Sequence, residues 1–386
     1  LSINGTANDN GINSNQRIGV NYSQNTQKLK YGGSIEIREN QRDSWSKRHT
    51  ESFLSDNTSQ FSQQNNQSNG KTDAISGNFR FEWKIDSLTT IMYRPSVNFS
   101  KGNSNSGSFS ETLNNELIPI NQKEATNRQT NDRFSTNGSL QFNRKLNSKG
   151  RNIALRLYYN LDNGNSDRYS LANTYYLKYG DSIKVQNQWI DNLNRNHEYR
   201  VQLTYMEPVF TNHFIEINYS YQHRSSLSEK YAYDWNDLED SYSQYPDTAQ
   251  SDCYKNKYSI HQVGAFFRTI RTNYFYNIGI EIEPQQTTNQ SYMRDTTLEY
   301  SSRNAINYAP TMNFKYTFSK QTTLRINYRG RTTQPSMTDL YSKNDISDPL
   351  NIRLTNPNLK PSFNNNISAT FNTYFTETLR SFNANF

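Results

Sequence analysis

The chain has 386 residues and a net charge of +7, its mean hydropathy is −1.00, and only 32% of its residues are hydrophobic. Soluble domains reach about 45–50% apolar residues with Gly included, so a large dry core is excluded. Disorder is excluded as well: 13% of residues are aromatic and they recur at alternating positions, whereas disordered chains are poor in aromatics and carry no period.

The charge comes from 42 Lys and Arg against 35 Asp and Glu. The basic residues are scattered, and nucleic-acid recognition needs a clustered patch, so no nucleic-acid partner is expected. Cys253 is the single cysteine. It forms no intrachain disulfide and no metal cluster, and its polar surroundings read as a loop. No run approaches the roughly 18 apolar residues of a membrane helix. A closed β-barrel is the other structure that satisfies every backbone polar group in hydrocarbon.

In chain order, residues 16–23 alternate through Ile18, Val20 and Tyr22, and residues 29–38 through Tyr31, Ile35 and Ile37. A Ser/Asn/Gln-rich loop is expected from about 39 to 74. Residues 75–85 place Phe79, Phe81, Trp83 and Ile85 on one face and Asn78, Arg80, Glu82 and Lys84 on the other. Asp86-Ser87 turns into residues 88–100, and a second polar loop is expected over about 101–133.

Residues 134–146 and 152–161 form a pair joined by the hairpin turn Asn147-Ser148-Lys149-Gly150. A loop of about thirty residues separates them from 197–207, which turns at Phe210-Thr211-Asn212 into 213–223. A long acidic loop is expected over about 224–256. Residues 257–270 and 274–283 follow, then a shorter loop expected to reach about 303, and then 304–318 and 322–329. A Pro-rich loop over 330–362 precedes 363–375 and a last strand ending at Phe386. Alternation with period two marks strands with one apolar and one polar face.

These amount to about fourteen strands, or fifteen if residues 2–7 pair, with short turns at one end and long loops at the other. That pattern is a transmembrane, all-β, antiparallel up-and-down barrel occupying residues 1–386, in contact with outer-membrane lipid and located in the bacterial outer membrane. Tyr and Phe at strand ends predict aromatic girdles at both interfaces. The polar face is expected to line a lumen. It carries Glu36, Arg38, Arg80, Glu82, Lys84, Arg156, Arg200, Glu216, Arg268, Glu281, Glu283, Lys315, Arg325 and Arg329. A wet lumen tolerates such charges without selecting anything; a selective pathway is the alternative.

No enzymatic chemistry is expected. His49, His197, His213, His223 and His261 show no paired metal spacing, and no nucleophile elbow or phosphate loop is present. No cofactor or metal is expected. The acidic run Asp234-Trp235-Asn236-Asp237-Leu238-Glu239-Asp240 has Leu238 where a calcium loop needs oxygen, so it reads as a solvated loop. Tyr231, Tyr233, Trp235, Tyr242 and Tyr245 could stack on a sugar-like ligand or cap the barrel.

The sharpest motif lies between Tyr328 and Phe375. Tyr328-Arg329 leads to Pro335-Ser336 and Leu340. Asp348-Pro349-Leu350-Asn351-Ile352 and Asn356-Pro357-Asn358-Leu359-Lys360-Pro361 follow. Pro357 and Pro361 fix φ and hold their predecessors extended, so the segment is expected to be a rigid corner feeding the next strand. The whole resembles the late barrel of TonB-dependent receptor-like outer-membrane proteins of the Bacteroidetes type.

That resemblance implies a twenty-two-stranded barrel, an N-terminal plug with a TonB-contacting segment, and uptake of a large or scarce solute driven by TonB. It also leaves room for a surface lipoprotein partner. Neither plug nor TonB segment is seen in this sequence, and it opens at Leu1 without the basic and apolar regions of an export signal, so the true N-terminus is expected upstream. The chain is therefore expected to be the barrel portion of a longer protein. Phe386 resembles the terminal Phe of such barrels, yet the motif usually lies several strands before the end. The competing readings are a passive pore or scaffold component of a surface complex, and a soluble all-β adhesin.

Overall fold

The computed structural model describes residues 1–386 apart from 55–57, 179–181, 294, 295, 334, 336–353, 355, 357 and 358. The described residues form sixteen strands. They are β1 (Ser2–Asp9), β2 (Asn13–Asn25), β3 (Leu29–Phe53), β4 (Ser59–Lys84), β5 (Thr89–Leu113), β6 (Pro119–Lys145), β7 (Asn152–Tyr176) and β8 (Ser182–Phe210). Then come β9 (His213–Asn236), the short β10 (Ser241–Tyr242), β11 (Asp252–Ile270), β12 (Tyr274–Met293), β13 (Thr296–Thr317), β14 (Thr323–Thr333), β15 (Ser362–Phe375) and β16 (Arg380–Asn385).

Every pairing is antiparallel between chain neighbours, in one continuous sheet running from β1 to β16, with β10 paired to β9 outside that path. This is an all-β, up-and-down architecture. Residues 2–9 do pair, with β2.

The register explains the alternation. One row of directly paired residues crosses ten strands: Leu29, Trp83, Ile91, Phe142, Leu155, Leu203, Tyr219, Val263, Ile282 and Tyr308. A second joins Ile18, Ile37, Ile75, Phe99 and Phe134. These rows are not covered by a second layer: Ile37 is 58% exposed, Val263 51% and Ile282 41%. A soluble sheet would bury such rows beneath a second layer; a barrel presents them to lipid.

The sequence misreads the polar stretches. Residues 39–53 and 59–74, 101–113 and 119–133, 162–176 and 182–196, 224–236 and 252–256, and 284–293 and 296–303 are strand, not loop. β3, β5 and β7 each run 25 residues and β8 runs 29. At about 3.3 Å per residue such strands are about 80 Å long, whereas a tilted strand crosses hydrocarbon in about 9–11 residues. The outer halves stand in water, so both faces are polar and the period disappears. What holds them is hydrogen bonding to a neighbour on each side, with side-chain rungs such as Asn105 Nδ2 to Asn69 Oδ1 (3.3 Å), Ser226 Oγ to Asn196 Oδ1 (2.5 Å) and Ser228 Oγ to Asn194 Oδ1 (2.9 Å).

Turn chemistry sets the other end. Asp86 Oδ1 accepts from the backbone N–H groups of Leu88 (2.7 Å) and Thr89 (2.6 Å). Asn212 sits at φ 66° between β8 and β9, and Gly150 at φ 108° between β6 and β7. Asn and Gly tolerate this left-handed region best. Cys253 is a second correction. It lies in β11 rather than a loop and is only 2% exposed, opposite Glu229 and Tyr292 on the flanking strands.

Candidate functional site: the polar face and its outer vestibule

Register places Arg80, Glu82, Lys84, Arg156, Glu216, Glu281, Arg325 and Arg329 on the face opposite the apolar rows. Many are joined in pairs. Arg268 meets Glu216 at 2.5 Å, and Arg80 meets Glu82 at 2.9 Å with Lys30 at 3.8 Å from the same carboxylate. Arg17 lies 3.1 Å from Glu36. Arg156 donates to Gln141 (3.2 Å) and Arg200 to Gln222 (2.5 Å), which in turn donates to Glu198 (2.8 Å). Gln262 donates to Glu283 (2.7 Å).

Seven buried side-chain atoms among the described residues have no partner: Asn121 Oδ1, Arg168 Nε, Arg200 Nε, Asn218 Oδ1, Arg268 Nε, Asn277 Oδ1 and Asn289 Oδ1. All seven belong to positions on this polar face. A buried polar group without a partner costs about 1–3 kcal/mol, so they mark a face built to be wet. Ala172, Gln188, Ile190, Ser220, Ala232 and Asn307, all buried, lie on it too; it is the concave side.

Beyond the apolar band the concave side opens into a cavity of about 650 Å³, walled by polar-face residues of seven consecutive strands, β3–β9. The segment between β10 and β11 folds back onto its rim. Gln186 Nε2 donates to Gln250 Oε1 (2.6 Å), Gln188 Nε2 to Asp234 Oδ1 (2.7 Å), and the Ala232 N–H to Ser251 Oγ (3.0 Å). Arg48, Lys123, Arg168 and Lys230 line the wall, with Ser, Thr, Asn and Gln between them. Burial disfavours the charged form of Arg168. The sequence hid these four cations because they lie in stretches without alternation.

Three of the aromatics of residues 231–245, Tyr233, Trp235 and Tyr242, pack against other rings. Trp189 and Tyr233 are stacked at 4.8 Å, Trp235 meets Tyr242 edge-on at 5.0 Å, and Tyr169 lies 5.8 Å from Tyr242. Asp234–Asp240 ends β9 in a turn in which the Leu238 N–H donates to Asn236 Oδ1 (3.0 Å).

Three of the five histidines, His197, His223 and His261, unremarkable in sequence, gather at a boundary. His223 stacks on Tyr199 (5.2 Å), and His261 lies 4.9 Å from Tyr221, all at the outer limit of the apolar rows. At the short-turn limit, Tyr274 stacks with Tyr276 and Tyr316 packs edge-on against Phe318 (4.6 Å). These are aromatic belts at both interfaces.

Of the proline-rich motif, Ser336, Leu340, Asp348, Pro349 and Pro357 lie outside the described residues. Pro335, Asn356, Leu359, Lys360 and Pro361 precede β15, which starts at the residue after Pro361. The Leu359 N–H donates to the Asn356 carbonyl (3.4 Å), and Arg303 Nη1 donates to the Leu359 carbonyl (3.4 Å).

A two-faced, single-sheet meander with interfacial aromatics matches, over residues 144–386, the model of the outer membrane protein beta-barrel family. The match spans more than half of the chain. The chain belongs to that family. It is therefore an outer-membrane β-barrel protein, and its exposed apolar rows are its contact with outer-membrane lipid. The crystal structure of the siderophore receptor PirA from Acinetobacter baumannii is similar over 97% of this chain and 73% of that one, at 9% sequence identity and a TM-score of 0.26. No curated protein matches.

Proposed function

We propose that this outer-membrane barrel is the solute-admitting part of a TonB-dependent receptor of the Bacteroidetes type, taking up a solute through the concave polar face. The observation that carries the reading is the contrast between the two faces of one sheet. The convex side is apolar and uncovered; the concave side holds Arg268–Glu216, Arg80–Glu82 and Arg17–Glu36 pairs and opens into a polar cavity. Charged groups of both signs on a wet wall suit passage of a polar solute and docking of a plug equally well.

In this reading residues 1–386 are one barrel domain, TonB acts through a plug lying outside them, and the role is not enzymatic. A lipoprotein at the surface would meet the outer rim. Deleting TonB and following uptake of the solute that supports growth tests the proposal. Uptake that stops supports active transport, whereas unchanged uptake favours a passive pore or a scaffold of a surface complex. Migration on a denaturing gel that does not shift on heating would count against a barrel and for a soluble adhesin.

A further inference from the structure

We propose that the outer vestibule binds a small solute bearing an oxyanion, a carboxylate or a phosphate, held by Arg48, Arg168 and Lys230. The inference rests on the uptake reading above and names the solute class of the same concave face.

Three observations converge on it. The first is charge segregation. The cavity wall carries Arg48, Lys123, Arg168 and Lys230, and no Asp or Glu is among its described lining residues. In the outer halves of those strands register puts Glu51, Glu111, Glu124, Asp167, Asp191 and Glu229 on the convex face. Two concave-face carboxylates stand beside the vestibule without lining it: Asp234, engaged by Gln188, and Asp252, directly across the β9–β11 ladder from Lys230. Cations gathered within one concavity focus its field and raise the local concentration of anions.

The second is an unmet hydrogen-bond demand. Arg168 Nε is buried without an acceptor and lines this wall. Guanidinium takes carboxylate or phosphate through two parallel N–H bonds, which a lysine cannot do. An oxyanion would relieve both the desolvation of Arg168 and its orphaned donor. The third is size and character. About 650 Å³ lies within the range of small-molecule sites, and the hydroxyl and amide groups of Ser110, Thr112, Gln186 and Gln188 on the wall suit hydroxyls or amides on the remainder of such a solute.

The test places a reporter thiol in the wall. In the full chain in outer-membrane vesicles, Ser110→Cys puts a thiol in the vestibule and Asn65→Cys puts one on the convex face of the same hairpin region. Cys253 is buried, so the parent chain gives the background. Heat-modifiable migration shows which variants have folded. Each thiol is treated with a sulfonate-bearing and a quaternary-ammonium-bearing methanethiosulfonate.

The sulfonate should be preferred at residue 110 by about tenfold relative to residue 65, and Arg168→Gln with Lys230→Gln should remove most of that preference. Millimolar citrate or inorganic phosphate should slow the reaction at residue 110 while trehalose does not; whichever protects assigns carboxylate or phosphate. Equal reagent preference at the two thiols, or no protection by either oxyanion, overturns the assignment. The two readings fail separately. Oxyanion protection with TonB-independent uptake sinks only the transport reading, and TonB-dependent uptake with no protection sinks only the oxyanion.

Discussion

Glu216 on β9 and Arg268 on β11 meet at 2.5 Å on the concave face, while Ile217 and Phe267, one residue along each strand, point to the convex one. Both charged side chains are partly shielded, Arg268 at 26% and Glu216 at 13% exposure. A double-mutant cycle with Glu216→Gln and Arg268→Met should give a coupling of about 1–3 kcal/mol, read from urea unfolding in lipid vesicles. Additive effects would mean that water separates the pair.

Ile280 and Glu281 are neighbours on opposite faces of β12. Ile280→Arg places a cation on the lipid side near the middle of the apolar band and should cost about 2–4 kcal/mol. Glu281→Gln should fold nearly as the parent does. Glu281→Arg, silent by face assignment alone, is the poorer comparison, because Arg329 and Arg200 act on Glu281 from the same face. Equal loss of heat-modifiable protein for Ile280→Arg and Glu281→Gln would contradict the assignment of faces.

Asn212 closes the β8–β9 turn at φ 66°. A β-branched residue is strained there, and Asn212→Val should destabilise by roughly 1–2 kcal/mol. Asn212→Gly should be close to neutral. The comparison is the midpoint of urea unfolding for the two variants.

Asp86 caps the β4–β5 turn outside the bilayer, and the backbone N–H of Leu88, with Thr89, holds its carboxyl below the ordinary range. A carboxylate favoured in the folded state stabilises above its unfolded pKa, and that contribution is lost as pH falls through the lower folded value. Parent protein should therefore lose stability on acidification over a step that Asp86→Ala lacks. Superimposable pH profiles for the two would remove the turn from the account.

Burial pushes the Cys253 thiol above its ordinary pKa. A raised value stabilises the fold below the unfolded pKa of about 8.5 and is lost as pH rises through the folded one. Maleimide labelling at pH 8 should be slow in the native barrel and fast after unfolding in guanidinium. Rapid native labelling would show the site to be open.

Fold and faces were legible wherever apolar and polar residues alternate. Ile215, Ile217, Tyr219 and Tyr221 fall on one side because lipid demands it, and that demand is written with period two. The outer halves of β3–β9 carry no such demand. Residues 59–73, Ser and Asn and Gln on both faces, form a strand because β3 and β5 flank them, a tertiary cause that local propensity does not register. The vestibule cations were invisible for the same reason. Arg48 and Lys230 stand 182 positions apart in numbering and reach one cavity only through six intervening strand pairings.

The length of those hairpins alters how a cell presents this protein. With strands tilted by about 35–45°, the wall rises roughly twice the thickness of the hydrocarbon it crosses. What a visitor outside the cell encounters is a stiff, hydrogen-bonded palisade rather than a canopy of wandering coils. Such a rim loses little entropy on capture, and surface proteases would be confined to its crests.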